Sequence, residues 1–331
     1  MSRATALLPV VLTGAMLAGN GIAMAQTDIK MIGFGGATNL PAWVAIDKGF
    51  FAKEDLKVTL DRTPGSKEQM QDIMSGKYQF ASTAFDNVVA YTEGEGTDKF
   101  SDYDVTAIMG VHSGMNSVVA RPEIKKYADL KGKVAAVDSP TSGYATVLYQ
   151  ILKDKAGLEK DKDYKTNSVG STGARVKALK DNTSQIAMIS PPDDVLLQQE
   201  GYNILGDAAE EIGAYQGSAY VVRKSYAKDH EKEVLAFVRA IVAATDYLFD
   251  DKAGSIQVLK SRVKDLSDKD ADVIYQRLTS GGGLNRRAAI NTRGVENVLK
   301  LRSVYGGASK RQESASKYID LSYYEKVVGK I

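Results

Sequence analysis

Val134–Leu152, VAAVDSPTSGYATVLYQIL, holds the unit from which the rest of the chain is built. Val134, Ala135, Ala136 and Val137 read as a short buried strand. The turn Asp138-Ser139-Pro140-Thr141-Ser142-Gly143 is small and polar, and a helix follows it. A helix opening there leaves its first backbone N–H groups unpaired and turns the positive end of its dipole toward the turn. Such an end accepts anions, and Gly143 lets a ligand come close to the main chain. Ser and Thr also cap helices for stability alone, so the turn is either a plain helix start or a ligand seat. Open α/β sheets hold their ligands at the carboxyl ends of the strands, which favours the seat.

The same strand-to-helix junction recurs on both sides. Lys30–Phe34 reads as a strand, followed by Gly35-Gly36-Ala37-Thr38-Asn39 and a helix over Ala42–Phe51. In that helix Trp43, Ile46 and Phe50 form an apolar stripe, so Trp43 reads as core rather than as a ligand platform. Leu56–Leu60 is the next strand, and Lys67–Ser75 a helix stopped at Gly76. Gln79–Ser82 is a strand that leads through Thr83-Ala84-Phe85-Asp86-Asn87 into a helix reaching Tyr91. Val105–Val111 is a central strand. His112-Ser113-Gly114-Met115-Asn116 interrupts it, and Ser117–Arg121 resumes, as a crossover between domains would. Beyond the quoted stretch come strands at Lys165–Val169, Gln185–Ile189 and Tyr202–Leu205. The first leads through Gly170-Ser171-Thr172-Gly173, and the second through Ser190-Pro191-Pro192-Asp193, each into a further helix. Gly217–Arg223 is a candidate second crossover. Helices are predicted at Lys228–Phe249, Ile256–Val263, Asp268–Ser280 and Arg293–Tyr305. Strands alternating with helices predict an α/β fold with mostly parallel sheets.

Composition narrows the function. The chain has 331 residues, 44% hydrophobic and 25% charged, enough for two domains with their own cores. Its 43 basic and 41 acidic residues leave a formal charge of +2 without a basic cluster, so no nucleic-acid footprint is expected. There is no cysteine, which excludes disulfides, thiolate metal sites and a cysteine nucleophile. His112 and His230 are the only imidazoles, too few for a His-rich metal centre, and no cofactor is expected. Arg3, the apolar run Leu7–Leu17 and Ala23-Met24-Ala25 form a secretory signal, with cleavage expected after Ala25. The run is shorter than the ~20 residues that span a bilayer. No cysteine follows it to carry a lipid, so a freely soluble periplasmic protein is expected.

Several blocks in order resemble one family. Pro41-Ala42-Trp43-Val44-Ala45-Ile46-Asp47-Lys48-Gly49-Phe50-Phe51 with Glu54-Asp55-Leu56-Lys57-Val58 resembles the A-x-x-x-G-F-F-x-x-E-G-L-x-V block of solute-binding proteins. Ser75-Gly76-Lys77-Tyr78-Gln79-Phe80-Ala81 is similar to their S-G-x-x-D-x-A strand entry, with Gln79 where Asp is usual. Asp129-Leu130-Lys131-Gly132-Lys133 resembles their lead into the second domain. The stretch from Arg175 to Ile189 with Pro191-Pro192 resembles a further block, departing at Asn182 and Gln185, and Tyr318–Tyr324 looks like their closing segment. Together these resemble the substrate-binding subunits of ABC importers in the sulfonate/taurine, nitrate and thiamine-pyrimidine-precursor group. The resemblance implies a periplasmic-binding-protein type II fold. Its two α/β domains, residues 26–115 plus 218–331 and residues 116–217, would be joined by two crossover strands and closed by a hinge around the solute. It also implies a permease partner in the inner membrane, a monomer, and no enzymatic turnover.

In that fold the junctions face the cleft. Gly36, Ala37, Thr38 and Asn39, with Thr83, Ala84 and Phe85, are the expected contacts from the first domain. Ser139, Thr141, Ser142, Gly143 and Tyr144, with Ser190, Pro191, Pro192 and Asp193, are those from the second. Thr141, Ser142 and Gly143 are expected to donate to an anionic head group, and Phe85 or Tyr144 to pack an organic body. Thr38, Asn39 and Thr83 are expected to supply polar contacts from the other wall, with a role as helix caps alone the alternative. His112, beside Ser113 at the first crossover, is either a ligand contact or a hydrogen-bonded strand end. Arg175 can clamp a carboxylate or sulfonate, or play a structural part. Asp193 in the cleft would favour a solute with a donor group such as an amine. A small organic anion, sulfonate or carboxylate, is the leading ligand. A thiamine pyrimidine precursor, a ligand sensor and an enzyme on the same fold are the alternatives. The related pyrimidine synthases carry a cysteine-rich motif that this chain lacks.

Overall fold

Short β-branched and apolar runs pair into two sheets with one and the same strand order. The structure is a computed structural model that describes Met1 and residues 25–95, 103–306 and 314–330. The apolar run and most of the predicted signal sequence therefore lie outside the described residues. The strands are β1 (Thr27–Gly33), β2 (Leu56–Arg62), β3 (Phe80–Ala84), β4 (Val105–His112), β5 (Ser117–Ala120), β6 (Val134–Val137), β7 (Lys165–Ser168), β8 (Ile186–Ile189), β9 (Asn203–Asp207) and β10 (Ser218–Arg223). One sheet runs β2-β1-β3-β10-β4 and the other β7-β6-β8-β5-β9. β1 pairs in parallel with β2 and β3, and β6 with β7 and β8. β10 is antiparallel to β3 and β4, and β5 to β8 and β9.

The sheets are thus mixed rather than mostly parallel in their pairings, although four strands of each point the same way. The exception in each sheet is the strand that arrives from the other sheet. β4 leaves the first sheet and β5 enters the second; β9 leaves the second and β10 returns. An arriving strand slots between two neighbours that already run together, so it opposes both.

β4 and β5 are buried along their whole length, as strands covered on both faces are. Helix Glu231–Asp250 lays Val234, Phe237, Val238, Ile241, Thr245 and Leu248 against the first sheet, with the Phe237 ring stacked 3.9 Å from Phe80. The single helix predicted over Lys228–Phe249 is in fact two, Lys224–Asp229 and Glu231–Asp250. His230 between them takes φ −127°, ψ 40°, outside the helical region, and its ring stacks on Tyr226 at 4.4 Å. The first helix spans Leu40–Asp47, and Leu40, Ala42, Val44 and Ala45 are its fully buried positions. Trp43, Ile46 and Phe50 pack at the edge of that core rather than inside it. Two short helices, Ala208–Ile212 and Ser322–Val328, carry no periodic apolar signal long enough to be read in advance. No helix among the described residues is long and apolar enough to cross a membrane.

Helix Gly143–Ala156 follows β6 directly and buries Ala145, Val147, Leu148, Ile151 and Leu152. It stops at Gly157, whose φ of 66° is the left-handed C-cap geometry and whose N–H reaches the carbonyls of Leu152 and Lys153. Helix Thr292–Tyr305 packs Val295, Val298 and Leu299 into the same apolar cluster as Leu148 of the second half. The halves also meet at Ala37 N–H, which donates to Pro191 C=O (3.1 Å), and at Tyr305 Oη, which donates to Gln150 Oε1 (3.1 Å).

Candidate functional site

The carboxyl ends of β1 and β3 face those of β6, β7 and β8 across a chamber of about 100 Å³. The first half lines it with Phe34, Gly35, Thr38, Ala84, Asp86 and Asn87. The second half contributes Asp138, Ser142, Gly143, Tyr144, Ser171, Thr172, Arg175 and Ser190. His112, Asn116 and Ser218 close the floor at the two crossovers. A wider outer groove of about 490 Å³ adjoins it, sharing Phe34, Gly35, Ser171 and Thr172 and adding Gly36, Asn39, Trp43, Pro192 and Asp193.

The residues singled out from sequence divide between these spaces and the core. Thr38, Ala84, His112, Ser142, Gly143 and Tyr144 line the chamber, as does Ser190. Gly36, Asn39, Pro192 and Asp193 line the outer groove instead. Ala37 is fully buried and its amide serves the contact with Pro191. Asn39 donates through Nδ2 to the carbonyls of Phe34 (2.5 Å) and Gly36 (3.2 Å), so it holds the turn and does not cap the helix through its side chain. Thr83 is fully buried and accepts from Asn87 Nδ2 at 3.0 Å. Phe85 is likewise fully buried in the apolar core and lines neither space, so it does not pack a ligand body. Thr141 faces neither space either; its carbonyl accepts from Arg302 Nη1 at 3.0 Å. Ser113 Oγ donates to Asn285 Oδ1 at 2.7 Å. Ser139 and Ser142 bond one another within the turn, Ser142 Oγ donating to Ser139 C=O at 3.1 Å.

The helix start of the quoted stretch is arranged differently from the expectation. The Asp86 carboxylate lies against the Gly143 amide, where an incoming anion was expected. A Cβ on Gly143 would sit 2.3 Å from Asp86 Cγ and 2.7 Å from Tyr215 Oη, so only glycine admits this approach. Asp86 is 2% exposed. Arg302 stands behind it, with Nη1 3.5 Å from Oδ2, and pairs on its other side with Glu95. Burial nevertheless outweighs Arg302 and the Gly143 N–H, and raises the Asp86 carboxyl to about 6.

Arg175 is the buried cation of the chamber. Its Nε donates to Met188 C=O (3.0 Å), Nη1 to Gly170 C=O (2.7 Å) and Nη2 to Thr172 Oγ1 (3.0 Å). A guanidinium has five N–H groups, so two remain for a ligand. His112 is 2% exposed, and its Nδ1 accepts from Gly114 N–H at 3.3 Å, which leaves the hydrogen on Nε2. Burial lowers its pKa to about 3, so it is neutral at any ordinary pH. The His112 carbonyl accepts from Gly217 N–H (2.9 Å) and Gln216 Nε2 (3.3 Å), tying the two crossovers together. Gly217 is required there, since a Cβ would lie 2.2 Å from the His112 ring. Asp193, in the outer groove, is raised by burial against the pull of Arg62. Among the described residues no group of three or more His, Asp or Glu is placed to hold a metal ion.

Asp86, Asn87, Asp138, Ser171 and Thr172 are among the lining residues that sequence reasoning missed. The signal for the last two was present. Gly170-Ser171-Thr172-Gly173 is a strand-to-helix junction of the same kind as the others.

Residues 37–254 match the NMT1/THI5-like family. The 4-amino-5-hydroxymethyl-2-methylpyrimidine phosphate synthase of Uromyces fabae is 25% identical over 228 residues, 66% of this chain and 65% of that protein. Among solved structures, the ligand-binding component of an ABC-type import system from Staphylococcus aureus superposes with a TM-score of 0.73 at 15% identity, covering 92% of this chain and 100% of that one. The alkanesulfonate-binding protein SsuA of Xanthomonas axonopodis pv. citri, solved with MOPS, gives 0.71 at 16% identity, covering 89% and 99%. These likenesses establish the periplasmic-binding-protein fold.

Proposed function

The chain belongs to the NMT1/THI5-like family, and from that premise we propose that it is the solute-binding component of an ABC importer. It is exported by its N-terminal signal, cleaved after Ala25, and works in the periplasm as a monomer that delivers its solute to an inner-membrane permease. Residues 26–115 with 218–331 form one domain and 116–217 the other, hinged at the crossovers on either side of His112 and Gly217. The observation that carries this reading is the chamber itself, walled by strand-to-helix junctions from both sheets and bridged by contacts between them. A solute held there bonds both halves at once and so favours the closed form.

The solute is a small organic acid, sulfonate or carboxylate, whose acidic group meets the two remaining N–H groups of Arg175. The chamber supports a small body: a cavity of about 150 Å³ takes benzene, and this one measures about 100 Å³. A thiamine pyrimidine precursor is the second reading, favoured by the Asp86 and Asp138 carboxylates on the chamber wall. The chain binds without turnover. A thermal-shift screen over sulfonates, carboxylates, nitrate, amines and pyrimidines tests the reading, since a selective binder raises the melting temperature by mass action. Recovery of the bound solute unchanged supports binding alone. Silence across the panel, or conversion of a panel member, would overturn the proposal.

A further inference from the structure

We infer that Asp86 is the resident counter-anion of helix Gly143–Ala156: it occupies the position a free organic anion would take, and the solute group that meets it in the chamber is a hydrogen-bond donor. This rests on the chamber being the solute site and concerns what that site selects.

Four observations carry it. First, the carboxylate lies so close to Gly143 that a Cβ on that residue would sit 2.3 Å from Asp86 Cγ and 2.4 Å from Oδ1. Second, Asp86 lies in the first turn of its own helix, Phe85–Thr92, so two helix N-termini converge on one carboxylate. Both dipoles are then answered by the protein's own charge. Third, Arg302 holds Asp86 from the side away from the chamber and also donates to Thr141 C=O, fixing the carboxylate and the turn of the second half relative to one another. Fourth, the Tyr144 hydroxyl, in the same helical turn as Gly143, is fully buried at the chamber and has no hydrogen-bond partner. A buried hydroxyl without a protein partner calls for one from solvent or solute.

Asp86 retains acceptor capacity toward the chamber, because a carboxylate offers about four lone-pair sites. With Asp138 of the second half also lining the chamber, the head of the solute meets acceptors, while Arg175 offers its donors to the acidic group. The chemistry that satisfies both is an ammonium, amidinium or amino-heterocycle carried on the same small body as the acidic group. A lone sulfonate or carboxylate pushed toward Gly143 meets the like charge of the buried Asp86, where repulsion is stronger than in bulk water.

The test is calorimetric titration of sodium methanesulfonate, at constant ionic strength set with sodium chloride, into wild type, Asp86→Ala and Asp86→Asn. Wild type is expected to bind methanesulfonate feebly at pH 7.5. Asp86→Ala opens the helix terminus and leaves Arg302 facing it, and affinity is expected to rise by about a hundredfold. Asp86→Asn keeps the shape and loses the charge, and a gain of about tenfold is expected. Wild type at pH 5 supplies a version without substitution, because protonation of Asp86 removes the same charge. Arg302, Glu95, Asp138, Tyr144 and Tyr215 are the ionisable groups that face or act on Asp86, and His112 shares the chamber. Wild-type affinity at pH 7.5 equal to that of the folded variants, or no gain in the variants and none at pH 5, overturns the inference. A wild type silent to the whole solute panel, with the gain present in Asp86→Ala, refutes the proposed transport function and leaves the role of Asp86 standing.

Discussion

Asp86→Asn is expected to change the pH dependence of stability in one window. Burial raises the Asp86 carboxyl from 3.8 to about 6, roughly two units at 1.36 kcal/mol each, or about 3 kcal/mol. A carboxyl with a higher pKa in the folded protein than in the unfolded chain binds its proton more tightly when folded. Its contribution to stability therefore falls as pH rises from about 4 to about 6. His112 acts in the opposite sense. Burial lowers it from 6.5 to about 3, so the unfolded chain binds that proton more tightly, and stability rises with pH through the same window. Each group alone gives a slope of about 1.36 kcal/mol per pH unit between its two pKa values. Between about pH 4 and pH 6 the two slopes cancel in wild type. Asp86→Asn keeps only the His112 slope. Its stability relative to wild type should climb by about 3 kcal/mol from pH 4 to pH 6 and level off above. The other carboxylates, including the raised Asp193 and Asp194, are common to both proteins and drop out of the difference. Urea unfolding of both proteins at half-unit pH steps measures it. Parallel profiles, or a variant that loses ground as pH rises, would refute the assignment of a buried, raised carboxyl at the chamber.

Gly143→Ala places a methyl group 2.3 Å from Asp86 Cγ; overpacking of about 1–3 kcal/mol should exceed the roughly 1 kcal/mol that Ala gains in a helix, and the melting temperature should fall. Arg175→Lys replaces a three-point clamp on Met188, Gly170 and Thr172 with a single ammonium. It should cost about 1–3 kcal/mol in urea unfolding and abolish the thermal shift given by any acidic solute. Phe85→Ala removes a fully buried ring that lines neither the chamber nor the outer groove. It should cost about 3–5 kcal/mol of stability while leaving solute affinity, titrated at a temperature where the variant is folded, within about twofold of wild type.

The strands, the junctions and the crossovers were legible in the sequence because each is a local pattern: a short apolar run, a small polar turn, the start of a helix. What a junction does with consecutive residues was not legible from composition, although one rule would have helped. Successive side chains on a strand point to opposite faces. At the end of β3 it is Ala84 that reaches the chamber, while Thr83 turns into the core. Phe85 and Asp86 open the following helix, where neighbouring side chains also point in different directions, and there Asp86 lines the chamber while Phe85 is buried in the core. Asp86 is a harder case. An acidic residue in the first turn of a helix is ordinary, since it answers the dipole of that helix, and nothing local says that it also answers a second one. Its charge acquires that role only when β6 and its helix are brought opposite β3, and when Arg302, 216 residues further along the chain, closes behind it. The turn at 138–143 reads as a seat for an anion, and the physics holds: a helix N-terminus beside a glycine does attract a carboxylate. The protein supplies the carboxylate from its own opposite wall, so a motif that specifies an anion does not by itself specify a ligand.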